Sequence, residues 1–455
     1  MRGFWLQLLY NVAFTVGFAL TWPYFTWRLW RRGRFLEAFP ERVAWYGKAV
    51  RGRLARLERP VWIHAVSVGE MMIARVLLAE LRRLRPGQAA VVTTTTQTGR
   101  QVGASLEDER TVLMYNPTDF LWSVARAFEA IGPSMLVLVE QEIWPNYVWS
   151  AGRRGVPVWL VNARLSGRSY RRFRRFRAVT EPVLRGIEWV CLQDEGDRDR
   201  FAGIGFRSEC LAVPGSMKFD VAEGGKFDPE LAESVREALG WAESDRVVLL
   251  GSSHPGEEAL VLDMFHALRR EFLELRLVLA PRHCERAGKV DGMAREAGWR
   301  VIRRSALGRV ARPKEGWEVM VLDTTGELSS LYSLGTVNVI GKSIVGRGGQ
   351  NFIEAARSGR PVVVGPHMGN FESLVALFRE GGGVVQVENP FELFQSLREL
   401  LGDPGEAARL GARARELYVA NLGAGAAVAE MMAATLGAME SARDSGLKSN
   451  AASSV

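Results

Sequence analysis

The sequence predicts an α/β protein with two doubly wound domains that face a cleft and follow an N-terminal membrane anchor helix. Three observations predict this architecture. Apolar, strand-like runs alternate with helical patterns in two successive series, a polar and glycine-rich stretch separates the series, and a long uncharged run opens the chain. Continuous apolar strands joined by helical crossovers indicate parallel sheets that are covered on both faces.

Length and composition agree with two folded domains. The chain has 455 residues, more than a single hydrophobic core usually holds. Hydrophobic residues make up 47% and charged residues 24%, which excludes a disordered chain. Cys191, Cys210 and Cys284 lack the spacing of a metal site and indicate a reducing compartment or buried thiols. The net charge of +8 favours an anionic partner, such as nucleic acid, a nucleotide, a phosphorylated lipid or a membrane surface.

The first element is the predicted anchor. Residues 4–27 carry no charge and are about long enough to span a bilayer as a helix. Interfacial aromatics lie near its ends at Trp5, Trp22, Tyr24 and Trp27. The basic segment 28–34 that follows predicts a cytoplasmic position for the rest of the chain. A signal peptide fits less well because the basic flank is on the wrong side, and a buried core helix is the other alternative. We therefore expect residues 1–34 to form an anchor with a basic flank, either spanning the membrane or lying in its interface.

The first strand series predicts an N-terminal domain over residues 35–222. Helical patterns such as 71–84 and 119–131 separate its members. The strand candidates are residues 61–66, 89–96, 111–115, 135–140, 157–163 and 189–193.

The second series predicts a C-terminal domain over residues 223–435. A polar, glycine-rich stretch at 220–230 precedes it as a candidate linker. Its strand candidates are residues 245–253, 275–283, 299–304, 318–326, 337–341, 361–365 and 383–387. Small and polar residues near the end predict a disordered tail at 436–455.

Carboxylates follow two strands of the first series, where ligands bind in open α/β sheets. Glu70 ends "WIHAVSVGE" in the first turn of a predicted helix, whose dipole favours the ionised form. It would be a modest base unless burial raises its pKa, and an ordinary helix-capping Glu is the alternative. Glu140 and Glu142 are two residues apart on an extended segment and are expected to point the same way. Metal binding, sugar binding and a second acid or base all remain open for this pair.

An arginine-rich segment lies later in the first domain. Aromatic residues interleave its seven arginines, which are Arg164, Arg168, Arg171, Arg172, Arg174, Arg175 and Arg177. A solvated helix face and a nucleic-acid surface are both possible. With an anchor upstream, anionic lipid headgroups are the preferred partner.

Loops at successive strand ends of the second series suit phosphate and ribose. They carry Ser252 and Ser253 in "GSSHPGEE", Arg282 in "APRH", Gly326 in "DTTGEL", and Asn351 and Glu354 in "GRGGQNFIEAARSGRPVVVGP". Backbone N–H groups and hydroxyls can hold a phosphate, and a carboxylate can accept from ribose hydroxyls. Lys218, at the predicted junction of the domains, could reach the same phosphate. Together these loops predict a nucleotide site.

The ordered motifs "WIHAVSVGE", "TTTTQTGR", "YNPTDFLW", "EQEIWPN", "NARLSGRSY", "GSSHPGEE", "APRH", "DTTGEL" and "GGQNFIEAARSGRPVVVGPH" carry a resemblance. From the anchor to about residue 435, the chain resembles the bacterial 3-deoxy-D-manno-oct-2-ulosonic acid (Kdo) transferase family. The resemblance implies two Rossmann-like domains of the GT-B glycosyltransferase type. It also implies Kdo transfer from CMP-Kdo to the lipid A precursor, lipid IVA, in lipopolysaccharide synthesis at the cytoplasmic face of the inner membrane.

The resemblance also implies roles for the candidate residues, without a metal, a cofactor or a nucleic-acid partner. Glu70 would be the base that deprotonates an acceptor hydroxyl, with inversion at the anomeric carbon of Kdo. Glu140 and Glu142 would position the donor or acceptor. The CMP-Kdo contacts would be Lys218, Ser252, Ser253, Arg282, Gly326, Asn351 and Glu354, and the acceptor and membrane contacts would be Arg164, Arg168, Arg171 and Arg172.

Two other functions remain open at this point. One is another membrane-associated nucleotide-sugar glycosyltransferase, or a sugar-nucleotide epimerase, on the same fold. The other is an anchored scaffold without catalysis that binds anionic lipid through residues 164–177.

Overall fold

The computed structural model describes residues 2–30, 35–311, 313–314 and 316–452. Parts of two predicted segments lie outside the described residues: positions 31–34 of the basic flank and 453–455 of the tail. The side chains of Trp22, Tyr24 and Trp27, predicted as interfacial aromatics, also lie outside this description.

The chain divides into two compact units, each with a seven-stranded parallel sheet. The N-terminal unit is Met1–Val221 with Gly423–Val455, and the C-terminal unit is Ala222–Leu422. All strands expected from the two apolar series are present. These sheets give the two Rossmann-like domains that the sequence predicts.

In the N-terminal unit the strand order is β3-β2-β1-β4-β5-β6-β7. The strands are β1 (Val61–His64), β2 (Ala90–Thr94), β3 (Thr111–Tyr115), β4 (Met135–Val139), β5 (Val158–Ala163), β6 (Trp189–Leu192) and β7 (Leu211–Ala212). The helices are α1 (Arg2–Trp30), α2 (Phe35–Arg42), α3 (Lys48–Leu54), α4 (Val68–Leu84), α5 (Gln97–Gly103), α6 (Leu121–Ile131), α7 (Pro145–Arg153), α8 (Gly167–Arg175), α9 (Arg177–Leu184), α10 (Arg198–Ile204) and α11 (Lys218–Glu223). Strand β7 was not predicted, because two residues are too short to show a periodic pattern.

In the C-terminal unit the strand order is β10-β11-β9-β8-β12-β13-β14. The strands are β8 (Val247–Ser253), β9 (Arg276–Pro281), β10 (Val301–Arg303), β11 (Val319–Val321), β12 (Val337–Ile340), β13 (Val362–Val364) and β14 (Val385–Gln386). The helices are α12 (Pro229–Leu239), α13 (Glu257–Leu268), α14 (Ala287–Glu296), α15 (Leu328–Leu331), α16 (Ile353–Arg357), α17 (Glu372–Glu380), α18 (Pro390–Gly402) and α19 (Pro404–Ala420). A last helix, α20 (Ala424–Ala452), follows them.

The N-terminal sheet is buried on both faces, which explains why its strands read as continuous apolar runs. Trp62 packs in the cluster formed with α6 and α7, and Trp159 packs in the cluster formed with α4 and α20. Both indoles are fully buried. Burial of a large apolar side chain stabilises a fold by roughly 1.5–3 kcal/mol, so these residues anchor the two layers.

Helix α20 returns to the N-terminal unit and packs on α4. Val428, Met432 and Leu436 are buried with the α4 side chains, and Glu440 forms an ion pair with Arg85 at 2.5 Å. This corrects two predicted boundaries. Residues 423–435 belong to the N-terminal unit instead of the C-terminal domain, and residues 436–452 continue a helix where a disordered tail was predicted. The four-residue spacing of the buried positions is a helical stripe, which the small and polar composition of the segment concealed.

Two segments among the described residues are long and apolar enough to cross a membrane, Phe4–Thr21 and Pro404–Ser445. In the second segment, the burial of α20 against α4 accounts for the apolar side chains. In the first, none of the window is buried. Helix α1 is therefore the candidate anchor.

The packing of α20 predicts the effect of a core substitution. Met432→Ala should lower the free energy of unfolding of the N-terminal unit by about 2–5 kcal/mol, because it leaves a cavity beside α4. The matched control Glu430→Ala, at an exposed position of the same helix, should change it by less than about 0.5 kcal/mol. Urea unfolding followed by tryptophan fluorescence measures both, and equal effects would contradict the packing of α20.

Candidate active site

The loops after β1, β4 and β5 meet at the carboxyl edge of the N-terminal sheet. Strand β4 pairs in parallel with both β1 and β5, so the three strand ends are neighbours. Glu70, Glu140, Glu142 and Arg164 follow these strands. The edge therefore brings together carboxylates that are far apart in the sequence.

Glu70 is held at the start of α4 by a reciprocal capping arrangement. The Ser67 hydroxyl accepts from the Glu70 N–H at 3.3 Å and donates to Glu70 Oε1 at 2.8 Å. The Val66 N–H donates to Glu70 Oε2 at 2.7 Å. A Ser with a Glu three residues later is the sequence signature of such a cap. The carboxylate is 8% exposed, so its position and direction are set by these bonds.

The surroundings of Glu70 give its carboxyl a pKa near neutrality. The pKa of Glu70 is raised to about 7, chiefly by burial. The negative charges of Glu140 and Glu142 contribute to this rise, and the hydrogen bonds from Val66 and Ser67 oppose it. A group with a pKa near the working pH can both take up and release a proton, as a general base must.

Glu140 and Glu142 are close enough to Glu70 to raise its pKa, but have different hydrogen-bond partners. Glu140 has a left-handed backbone with φ +62°, and its Oε1 accepts from Asn162 Nδ2 at 3.4 Å. The Trp144 indole N–H donates to Glu142 Oε2 at 2.9 Å, and burial raises the pKa of Glu142. A left-handed conformation at a non-glycine residue is strained and is frequent at functional sites.

Lys218 belongs to this carboxylate group. Its Nζ lies 3.6 Å from Glu140 Oε1, within the N-terminal unit. Burial lowers the pKa of Lys218, while the charges of Glu140 and Glu70 oppose that change. The sequence predicted Lys218 as a donor contact at the junction of the domains. The structure places it with Glu140 and Glu70, and the donor contact stays a prediction.

The predicted arginine cluster divides into two parts. Arg164 follows β5 and is half-buried, and its carbonyl oxygen accepts from Gln141 Nε2 at 2.7 Å. It is close enough to Lys218 to lower the pKa of that amine. Arg168, Arg171 and Arg172 are exposed on α8. Only the α8 residues therefore form the predicted basic helix face, and Arg164 belongs to the carboxyl edge of the sheet.

The C-terminal unit brings three of its predicted loops together at the carboxyl edge of its own sheet. The Gly341 N–H after β12 donates to the Gly251 carbonyl of β8 at 2.7 Å. The Arg282 N–H after β9 donates to the Ser253 carbonyl at 3.0 Å, and the Arg282 side chain is exposed.

The two serines of "GSSHPGEE" differ in their availability. Ser252 is half-buried with a left-handed φ of +55°. Ser253 is fully buried, and its hydroxyl donates to Glu258 Oε1 at 2.7 Å. Because this hydroxyl has one proton and Glu258 holds it, Ser253 supports the loop and does not offer a side-chain donor to a ligand.

Glu257, which the sequence analysis did not single out, organises two of these loops. It is fully buried, and its carboxylate accepts backbone N–H bonds from His254 at 2.9 Å, Lys342 at 2.7 Å and Ile344 at 3.2 Å. Lys342 has a left-handed φ of +58°. The signal in the sequence was an acidic first-turn residue after a strand and a glycine, which is also the setting of Glu70.

Asn351, Glu354 and Arg282 form the third part of this edge. Asn351 Oδ1 accepts from the Ile353 N–H at 3.1 Å, and its Nδ2 donates to Glu354 Oε1 at 3.4 Å. Burial raises the pKa of Glu354, while Asn351 and the charge of Arg282 oppose the rise. Gly326 lies on the loop after β11, exposed and with φ +85°, and a Cβ at this position would meet no atom within 4 Å.

The residues at the two edges suit different chemistry. The N-terminal edge offers a base of near-neutral pKa, and the C-terminal edge offers an exposed guanidinium, loop N–H groups and a carboxylate for a charged, hydroxyl-bearing ligand. Within the described residues, no group of three or more His, Cys, Asp or Glu side chains is placed to hold a metal ion. Metal independence stays a prediction.

Solved structures of low sequence identity share the fold. HepE from Anabaena in complex with UDP aligns with a TM-score of 0.56 at 15% identity and covers 83% of this chain and 100% of its own. The UDP-GlcNAc 2-epimerase from Neisseria meningitidis aligns with a TM-score of 0.54 at 14% identity, covering 80% and 99%. Both alignments support the GT-B fold.

Sequence comparison identifies the family. The family described as 3-deoxy-D-manno-octulosonic-acid transferase (kdotransferase) matches residues 37–221. The 3-deoxy-D-manno-octulosonic acid transferase of Haemophilus influenzae is 29% identical, over 86% of this chain and 90% of its own. The enzyme of the same name from Bordetella pertussis is 31% identical, over 91% of this chain and 96% of its own. The chain therefore belongs to the Kdo transferase family of glycosyltransferases.

Proposed function

We propose that this protein transfers Kdo from CMP-Kdo to the lipid A precursor lipid IVA, with inversion, without a metal and at the cytoplasmic face of the bacterial inner membrane. Family membership supports Kdo transfer in lipopolysaccharide synthesis. The observation that carries the mechanism is Glu70, a buried carboxyl at the carboxyl edge of a sheet with a pKa of about 7.

Glu70 acts as the general base of a single displacement. It takes the proton of an acceptor sugar hydroxyl while that oxygen attacks the anomeric carbon of Kdo. The bond from this carbon to the phosphate oxygen of CMP breaks, and CMP leaves with the electron pair. One displacement inverts the anomeric centre. The leaving phosphate is already anionic, so it needs cations and N–H donors more than a proton.

The residues around Glu70 set its charge and orient the substrates. Burial is the main cause of the raised Glu70 pKa, and Glu140 and Glu142 add to it and position a sugar through their free lone pairs. Lys218 balances Glu140 and faces the same group. Arg164 adds a second cation for the phosphate or carboxylate groups of the substrates.

The donor CMP binds at the carboxyl edge of the C-terminal sheet. Arg282 and the loop of Ser252 hold the phosphate, and Asn351 and Glu354 bind the ribose. Gly326 lets a loop approach the nucleotide without a side chain. The exposed Arg168, Arg171 and Arg172 of α8 bind anionic headgroups.

The test is an in vitro transfer reaction. Purified protein is incubated with chelator, tetra-acylated lipid A precursor and either CMP-Kdo or UDP-GlcNAc, and the lipid product is weighed by mass spectrometry. A mass gain of Kdo from CMP-Kdo alone supports the proposal. Transfer or epimerisation with UDP-GlcNAc would favour the alternative nucleotide-sugar enzyme, and CMP binding without a product would favour the scaffold.

Replacing the base should abolish turnover and leave donor binding intact. Glu70→Gln should lower kcat by about 10²–10⁴-fold, because the neutral amide cannot accept the proton. CMP binding by calorimetry should change little, since Glu70 is not among the donor contacts. Glu58→Gln, at an exposed position of the same unit, is the matched control. Turnover retained in Glu70→Gln would remove Glu70 as the base.

The pKa of Glu70 predicts the pH dependence. The activity kcat/KM should rise up to about pH 7 and level off above it, since the base must be ionised.

Because folding raises this pKa, the stabilisation from Glu70 is full below its unfolded value of 4.5 and is lost as the pH rises through about 7. The unfolding free energy of the wild type relative to Glu70→Gln should fall over that window.

In the double variant Glu140→Gln/Glu142→Gln, the rise in kcat/KM should move to lower pH, because two negative charges near Glu70 are removed. An unmoved profile would contradict the influence of these carboxylates.

Replacing Glu257 should weaken donor binding, because the loops that its carboxylate holds would lose their order. Glu257→Ala leaves the His254, Lys342 and Ile344 N–H groups without their acceptor, at roughly 1–3 kcal/mol each. CMP affinity should fall at least about tenfold, corresponding to about 1.4 kcal/mol. The control Asp263→Ala, exposed on the same helix, should bind CMP as the wild type does. Unchanged CMP affinity in Glu257→Ala would show that these loops do not hold the donor.

A further inference from the structure

Helix α1 has two faces of different character. Its half-buried positions recur every three or four residues and form one stripe: Gln7, Tyr10, Asn11, Phe14 and Phe18. The opposite stripe is apolar and 54–77% exposed: Trp5, Leu9, Val12, Val16 and Leu20. At 3.6 residues per turn these two stripes lie on opposite sides of the helix.

Polar bonds fasten the first stripe to the N-terminal unit. The Tyr10 hydroxyl donates to Asp119 Oδ2 at 2.6 Å. Asn11 and Asn146 exchange side-chain hydrogen bonds at 3.2 and 2.9 Å. Asp119 and Asn146 are 2% and 0% exposed, and Asn146 Nδ2 also donates to the Asp119 carbonyl at 2.6 Å. The helix is thus bonded to groups that are themselves buried.

Aromatic contacts continue the attachment along the helix. The Phe14 and Phe18 rings lie edge-on to Phe120 at 5.3 and 4.9 Å, and Tyr10 packs edge-on to Trp149 at 5.7 Å. From Gln7 to Phe18 the docked stripe is about 16 Å long at 1.5 Å per residue. The part of α1 that is attached to the folded domain is therefore about half as long as the hydrocarbon core of a bilayer is thick.

This attachment decides between the two membrane positions that the sequence left open. If α1 crossed the bilayer, Asp119, Asn146 and the starts of α6 and α7 would lie at the same depth as the middle of the helix. The exposed Arg126 and Arg153 of these two helices would then lie among lipid tails, where charged side chains are costly. A helix that lies along the surface leaves these arginines at the headgroup level and inserts only its apolar stripe.

The surface beside the docked stripe, where Trp122 stacks on Phe120 at 5.8 Å, indicates what covers the apolar one. Leu121 and Trp122, at the start of α6, are 39% and 49% exposed. The Arg126 guanidinium lies 5.5 Å from the Trp122 ring centre, and Arg153 donates to Gln7 Oε1 at 3.2 Å. Tryptophan and arginine at the border of an apolar surface are typical of the headgroup region, where arginine meets lipid phosphate.

We propose that α1 is an interfacial helix that stays docked on the N-terminal unit and inserts its Trp5–Leu20 stripe into one anionic leaflet without crossing the bilayer. The occupant of this face is lipid. The inference rests on the proposed function only in that a lipid acceptor would lie in the same leaflet. Helix α7, to which α1 is bonded, begins three residues after Glu142, so docking also orders the loop beside Glu70.

Labelling of single cysteines tests the topology. In a Cys284→Ser background, Phe4→Cys and Thr21→Cys, both exposed, are treated with a membrane-impermeant maleimide in inverted and right-side-out inner-membrane vesicles. Both sites should be labelled in inverted vesicles alone. Labelling of one site from each side would show that the helix spans, and would overturn the proposal.

Crosslinking and vesicle binding test docking and the occupant. The pair Asn11→Cys/Asn146→Cys should form a disulfide in membranes, and the control pair Val12→Cys/Asn146→Cys should not.

Val12→Glu/Val16→Glu should weaken binding to phosphatidylglycerol vesicles at least about tenfold, because charge enters the apolar stripe. An intermolecular disulfide from Val12→Cys alone would assign the stripe to a second copy and refute the lipid assignment. These readouts require no Kdo transfer, so they fail or succeed independently of the proposed reaction.

Discussion

Each sheet of this protein depends on a buried carboxylate at the join between an inner strand and the helix that follows it. Glu70 accepts from the Val66 N–H and the Ser67 hydroxyl after β1. Glu257, after β8, accepts from the N–H groups of His254, Lys342 and Ile344, the last two of which follow β12. Loops at the carboxyl edge of a parallel sheet must leave the strand ladder, so their N–H groups lose strand partners. A first-turn carboxylate replaces those partners, and the helix dipole favours its charge.

Glu70 and Glu257 share the same local geometry but have different roles. Glu257 is enclosed by the loops it holds, including the left-handed Lys342, and serves to keep them in place. Burial, with a smaller contribution from the charges of Glu140 and Glu142, raises the pKa of Glu70 to about 7, and the residue keeps a small exposed fraction. Capping and proton uptake are compatible in Glu70, because each carboxylate oxygen can accept more than one hydrogen bond. The cap that orders the helix also aims the base that we propose.

Contacts between distant parts of the chain complete the N-terminal unit. Helix α20 supplies Val428, Met432 and Leu436 to the core under α4. Helix α1 bonds to Asp119 and Asn146 beside the loop of Glu142. The unit that holds the candidate base is therefore built from the beginning, the middle and the end of the chain, and the candidate anchor helix is part of its packing.

The sequence by itself determined the alternation of apolar strands and helices, the carboxylate after the first strand and the family. Strands buried on both faces leave continuous apolar runs, and a Ser-x-x-Glu cap is written in adjacent residues, so these features are local. The partner of Lys218, the role of Glu257, the separation of Arg164 from α8 and the place of α20 depended on residues that meet only after folding. Neither the buried stripe of α20 nor Lys218 at the start of α11 shows in the sequence which residues it contacts. Only the tertiary structure decided which face of α1 meets protein and which is left apolar and exposed, because that choice depends on the hydrogen bonds that Asp119 and Asn146 supply from elsewhere in the chain.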